Sequence, residues 1–280
     1  MFCLLRENQI KPNKEIYILD WSRADVKSRA KSTISHNYWK TVFVSLLMLI
    51  FTDGTIIQVC ASLDDELRKI AKGVIAQEYE YGRLDIKVVI VLIILGVSAL
   101  LVFLLANFLL DVFMKNPLEV GTKRFMVKTA SALTADENGM IADIAYAFDH
   151  NYTNVVKVLF FKDLYCALWS LLLVVPGIYK RYQYRMVAYI LGENPSISRE
   201  KAFSISKEMM KGQIWKMFLF DLSFIPWHIL GTCTIGIAEV LYVQPYVNIA
   251  KANLYREIRE IYYLNKEMEE YKNELHNLNS

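Results

Sequence analysis

Between Val88 and Leu110 the chain runs 23 residues without one Lys, Arg, Asp or Glu. A helix of that length measures roughly 35 Å, enough to cross a hydrocarbon core of about 30 Å. A second such run covers the 17 residues from Leu222 to Ala238. Charged residues make up 22% of the 280 and apolar ones 54%; charge at the soluble average of about 25%, if scattered evenly, would leave no such gaps. This distribution excludes an ordinary soluble enzyme, a disordered chain and a disulfide scaffold. It points to a multi-pass membrane protein. The net charge of +3 is mild and no Lys/Arg block suggests nucleic acid. Cys3, Cys60, Cys166 and Cys233 show no C-x-x-C spacing, so no zinc ribbon or redox pair is encoded. The apolar start, Met1 to Leu5, is too short for a cleavable signal peptide.

Six apolar segments follow from this reading: 41–60, interrupted by Asp53; 88–114; 155–175, with Lys157, Lys162 and Asp163 in its first half; 178–192, short and carrying Lys180, Arg181 and Arg185; 214–230; and 235–252. Residues 1–20 form an N-terminal cytoplasmic segment, 21–253 the membrane domain and 254–280 a cytoplasmic helix. Charge bias supports the count. With six spans the inside regions hold 21 Lys/Arg against 8 outside, and with five the ratio becomes 12 to 17; cytoplasmic loops carry the excess. The expectation is an all-α bundle of three hairpins, with both termini cytoplasmic and 64–82 outside, where Cys60 and Cys233 would share one membrane face and could form a disulfide.

An internal repeat leads to the same architecture. Ser28-Arg-Ala-Lys31 followed by His36-Asn37-Tyr38-Trp39-Lys40 returns 176 residues later as Ser204-Ile-Ser-Lys207 followed by Gly212-Gln213-Ile214-Trp215-Lys216. A looser copy, His150-Asn151-Tyr152, precedes the Val155 segment. Each copy places an amphipathic helix before a span opened by aromatic residues. Ser22 with Asp25 reads as a helix start, as does Asn116-Pro117 with Glu119, the asparagine capping. Ser198 starts a helix with Ala202, Ile205 and Met209 on one face, stopping at Gly212. Such helices either brace the bundle or lie in the interface, where Lys27, Lys31, Lys40, Lys201, Lys207 and Lys216 would meet lipid phosphates.

Asn37-Tyr38-Trp39-Lys40, Pro117-Leu-Glu-Val-Gly121 with Arg124-Phe125, Val175-Pro-Gly-Ile178, Asn194-Pro195, and Leu222-Ser-Phe-Ile-Pro-Trp227 through Gly231 and Pro245-Tyr246 occur in order. Together they resemble the bacterial integral membrane family called domain of unknown function 975, over roughly Trp21 to Tyr255. They are also distantly similar to the membrane domain attached to some glycerophosphodiester phosphodiesterases. The resemblance implies a polytopic protein of the bacterial cell membrane without an established activity.

Catalytic patterns are scarce: no G-x-S-x-G, H-E-x-x-H or phosphate-binding glycine loop occurs. No catalytic, cofactor or metal residue is assigned. His36 and His150 occupy matching repeat positions, which an interfacial helix stop explains more simply than a metal. The candidate intramembrane polar site is Asp221, Glu239, Asp163 and Lys162, with Asp53 and Asp111 nearby. A charge facing lipid at mid-helix costs at least about 2.5–3.5 kcal/mol, so these groups should face protein or water. They form either a polar pathway or internal pairs, with Lys162 or Lys216 as partner of Asp221. Along 254–278, Leu254, Ile261, Met268 and Leu275 fall seven apart, with Leu264, Tyr271 and Leu278 three residues after the last three. This heptad pattern suits self-association, a protein partner or packing on the chain's own loops. The leading expectation is a non-catalytic membrane protein that organises a protein partner or lipid. A transporter or export/immunity-type protein using the buried acids, and a lipid-linked membrane enzyme, are the alternatives.

Overall fold

The computed structural model describes residues 21–49, 69, 72–73, 86–131, 139–234 and 236–278. Asp53, Cys60, the 1–20 segment and most of the expected outer loop at 64–82 lie outside the described residues. Among those described the structure is helical, with no strand.

Helix α1 (Arg23–Leu49) leaves helical geometry at Asn37 (φ −127°, ψ 31°), where the Thr41 hydroxyl donates to the Asn37 and Tyr38 carbonyls at 3.1 and 2.8 Å. Helix α2 (Ile86–Leu110) passes through a π-helical turn, Asp111–Lys115, directly into α3 (Asn116–Ser131). From Val89 to Ser131 this is one helix of 43 residues, the one described helix long and apolar enough to cross a membrane. Helices α4 (Gly139–Asp149) and α5 (Tyr152–Leu172) are joined at Asn151, whose left-handed φ of 48° asparagine tolerates well. Leu173, in extended conformation, turns α5 into α6 (Val174–Gln183). A short α7 (Val187–Glu193) precedes α8 (Arg199–Met210). Helices α9 (Ile214–Leu222) and α10 (Ile225–Cys233) are offset at Ser223-Phe224, and a second π-helical turn, Glu239–Val243, opens the long α11 (Gln244–Leu278).

Irregular backbone falls at the three positions aligned in the sequence. Each amphipathic helix stops at a residue that suits irregular backbone (Asn37, Asn151, and Gly212 at φ +75°) before an aromatic-led helix begins. Helix α8 forms as read: the Ser198 hydroxyl accepts from the Lys201 N–H at 3.4 Å, and Ala202, Phe203 and Met209 are buried.

Both π turns have a sequence cause. Pro117 and Pro245 lack an N–H, so the carbonyls four residues earlier, Phe113 and Leu241, lose their helical partner. Asn116 and Gln244 bond instead to the carbonyls five residues back, of Asp111 and Glu239. The stranded carbonyls are taken up by tyrosines of the repeat: the Tyr152 hydroxyl donates to Phe113 O at 2.7 Å and the Tyr38 hydroxyl to Leu241 O at 3.0 Å. One geometric solution is therefore used twice. Tyr152→Phe and Tyr38→Phe should each lower stability by about 1 kcal/mol, measured by thermal unfolding in detergent. A purely aromatic role for the rings would leave both variants at the wild-type midpoint.

Four readings are corrected: 155–175 breaks at Leu173 and 214–230 at Ser223-Phe224, so neither is one helix, and two more follow. Asn116 does not cap a helix, because the chain passes through it as helix and buries it at 7% exposure. Residues 178–192 do not form one helix but the end of α6, a bend and α7. The apolarity of Val187–Gly192 arises from burial on all sides within the protein. Helix α3 is the hub, packing on α1, α4, α5, α7 and α11, with Leu118, Val120, Phe125 and Met126 in the core. Outside this core, α2, Leu171 to Val175 and Ile229-Leu230 present apolar side chains outward, Leu171 at 87% exposure.

Candidate functional site

Asp221 faces inward, its side chain 29% exposed. Its partner is neither Lys162 nor Lys216. Arg185, at the bend between α6 and α7, reaches it with both terminal nitrogens, Nη1 to Oδ2 and Nη2 to Oδ1 at 3.0 Å. The Tyr182 hydroxyl adds a bond to Oδ2 at 3.0 Å. Helix α6 packs on α9, so this two-pronged ion pair fastens those helices at the point where α6 ends. In the sequence Arg185 stands out only as a charge in the short 178–192 segment; its fork geometry, suited to a carboxylate, is the one signal of this role.

Lys162 and Asp163 lie within 3.3 Å of one another, and Asn116 Nδ2 donates to Asp163 at 3.3 Å. Lys162 also acts on Glu119 of α3, which the sequence suggested only as a first-turn acid. Lys123, Lys115 and Lys251 add to the positive field around this buried carboxylate.

Glu239 belongs to a third, separate junction. Its Oε1 accepts from Gln244 Nε2 at 2.7 Å and lies 2.9 Å from His228 Nδ1, while Oε2 is buried without a hydrogen-bond partner. Gly231 makes this contact possible, since a Cβ there would lie 2.3 Å from Oε2. The four expected site residues are thus distributed over three helix junctions and are not gathered into one. His36 and His150 each bond the carbonyl four residues upstream, at 2.9 and 3.1 Å, in keeping with helix stops. Among the described residues no group of three His, Cys, Asp or Glu side chains could hold a metal ion.

The six lysines differ in setting. Lys31, Lys201 and Lys207 are exposed, and Lys40 and Lys216 are half-buried. Lys27 turns inward, donating to Ser223 O at 3.3 Å with its ammonium 4.3 Å from the Phe224 ring centre. Burial, then Arg23 and Lys31, push its pKa down.

A concavity of about 670 Å³ opens in the packed half, among α3, α4, α7 and α11. Arg124 stacks 3.6 Å from the Tyr146 ring centre, donates to Gly192 O at 2.6 Å, and shares Asp143 Oδ1 with Lys128. Arg259 meets Glu193 on the same rim. None of the four sequence-derived site residues lines this space.

Described residues that are helical throughout, with one long apolar helix among them and ion pairs at helix junctions, define a class of architecture rather than an activity. The family described as "Protein of unknown function (DUF975)" matches residues 28–261, and the chain belongs to it. No curated protein and no solved structure matches the chain.

Proposed function

We propose that this chain is a multi-pass protein of the bacterial cytoplasmic membrane, with both termini in the cytoplasm, that organises a protein partner or lipid and performs no catalysis. The outward apolar side chains of α2, of the α5–α6 tip and of α10 support membrane residence, since water does not tolerate so continuous an apolar surface. In this reading the six-span topology becomes three hairpins that enter and return on the same side. The second is the shallow one, because the ten residues of α6 reach only about 15 Å at helical rise. A shallow second hairpin takes Lys180, Arg181 and Arg185 out of the outside count, which only enlarges the Lys/Arg excess inside. Single cysteines in 196–211 should be labelled only after permeabilisation, and those in 64–82 from outside; labelling of 196–211 in sealed cells would sink the topology.

The observation that carries the organising role is the separation of the acids among helix junctions. Asp221, Asp163 and Glu239 each meet a partner at a different helix junction, as groups that order a bundle do. A second reading has one specific support: the unpartnered Oε2 of Glu239 beside His228 is a fitting carrier for a proton in a transporter. Proteoliposomes separate the two. Vesicles holding the chain should keep an imposed pH gradient as well as empty ones. A leak removed by Glu239→Gln would replace the organising role with transport.

A further inference from the structure

We propose that two copies of this chain pair through residues 264–278 of α11 as a short parallel two-stranded coiled coil. Near its start α11 buries Leu254 and Ile258 against its own body, and Ile261 packs partly against that core. The same heptad then continues outward uncovered. Met268 and Leu275 occupy one seam position at 40% and 41% exposure, and Tyr271 and Leu278 the other at 63% and 82%. The helix holds to Leu278, so the seam is formed and presented without a partner among the described residues.

Charge selects the occupant. In a parallel pair the residue preceding one seam position faces the residue following the other seam position in the next heptad of the partner. Glu267 then faces the partner subunit's Lys272, and by symmetry the bond forms twice. An antiparallel pair would set the glutamates at 267 and 274 against glutamates. Two copies held in one membrane present their tails side by side and in the same direction, the arrangement that the charges favour. About two heptads are marginal for partners free in solution, but confinement to a membrane raises their effective concentration. This inference rests on the membrane reading above, with both tails on one side.

Cross-linking in native membranes tests it, in a full-length background with Cys3, Cys60, Cys166 and Cys233 replaced by serine. Under mild oxidation Met268→Cys should form dimers at least about five times faster than Asn273→Cys on the outer face. Glu267→Lys should slow the Met268→Cys reaction, and the double swap Glu267→Lys/Lys272→Glu should restore it. Equal rates at 268 and 273, or a swap that restores nothing, would overturn the parallel pair. If the serine background fails to fold, the mass of the unmodified chain in nanodiscs decides: two copies, reduced to one by Leu275→Glu, are expected, and a single copy overturns the proposal. Labelling of Asn273→Cys in sealed cells reads the membrane topology separately. A tail reached from outside would refute the cytoplasmic placement while leaving the pairing result standing.

Discussion

Gly121→Ala should be among the most damaging single-methyl changes available in this chain, lowering stability by about 3 kcal/mol or more. Helices α3 and α4 approach so closely at Gly121 that an added Cβ would lie 1.9 Å from the Ile144 carbonyl oxygen and 2.7 Å from its carbon. Both atoms are backbone, so no rotamer change can make room. The helices must separate, which also loosens the Arg124 and Lys128 bonds to Asp143 that join them. The control is Gly96→Ala on α2, where nothing lies within 4 Å of the new methyl group and the helical preference for alanine acts alone. Thermal unfolding in detergent should show a large loss for the first variant and none for the second. A Gly121→Ala midpoint equal to wild type would mean that the α3–α4 contact is absent in the folded protein.

Asp221→Leu should cost about 2 kcal/mol. Removing one member of a fully buried pair costs about 3–5 kcal/mol, and the partial exposure of these side chains, 20% for Arg185 and 29% for Asp221, reduces that. Most of the loss comes from leaving Arg185 without its carboxylate. Asp221→Asn should be milder because its amide oxygen still accepts from Tyr182 or Arg185. The pairing makes a sharper claim: Arg185→Leu together with Asp221→Leu should be less destabilised than Asp221→Leu alone. Additive losses would show that the two residues act independently.

What could be read in advance was local. Ser198 and Gly212 bound α8 through backbone preferences that depend on a few neighbouring residues, and the Asn37 and Asn151 breaks follow from the same chemistry. The inward direction of Asp221 followed from solvation alone. The partner did not, because Arg185 sits in a segment whose apolar residues looked like a span. Hydropathy cannot distinguish a side chain facing lipid from one facing other helices, and Val187–Gly192 are of the second kind. Asn116-Pro117 and Gln244-Pro245 show the same limit from another side. The first pair was read as a helix start and the second as helix interior, although both sit just after a π turn in a continuous helix. Proline permits either outcome. The distant tyrosine that accepts the consequence decides, and its position is a property of the assembled bundle.

The packing of α1 against α11 sets an order on biosynthesis. Val26, Ala30 and Val44, emerging early, are completely enclosed in the finished protein, and α11 is the element most extensively packed against their helix. A nascent chain halted before Gln244 therefore lacks the described helix that packs most extensively on this apolar face. Enclosure of these α1 side chains therefore waits on α11, made about 200 residues later.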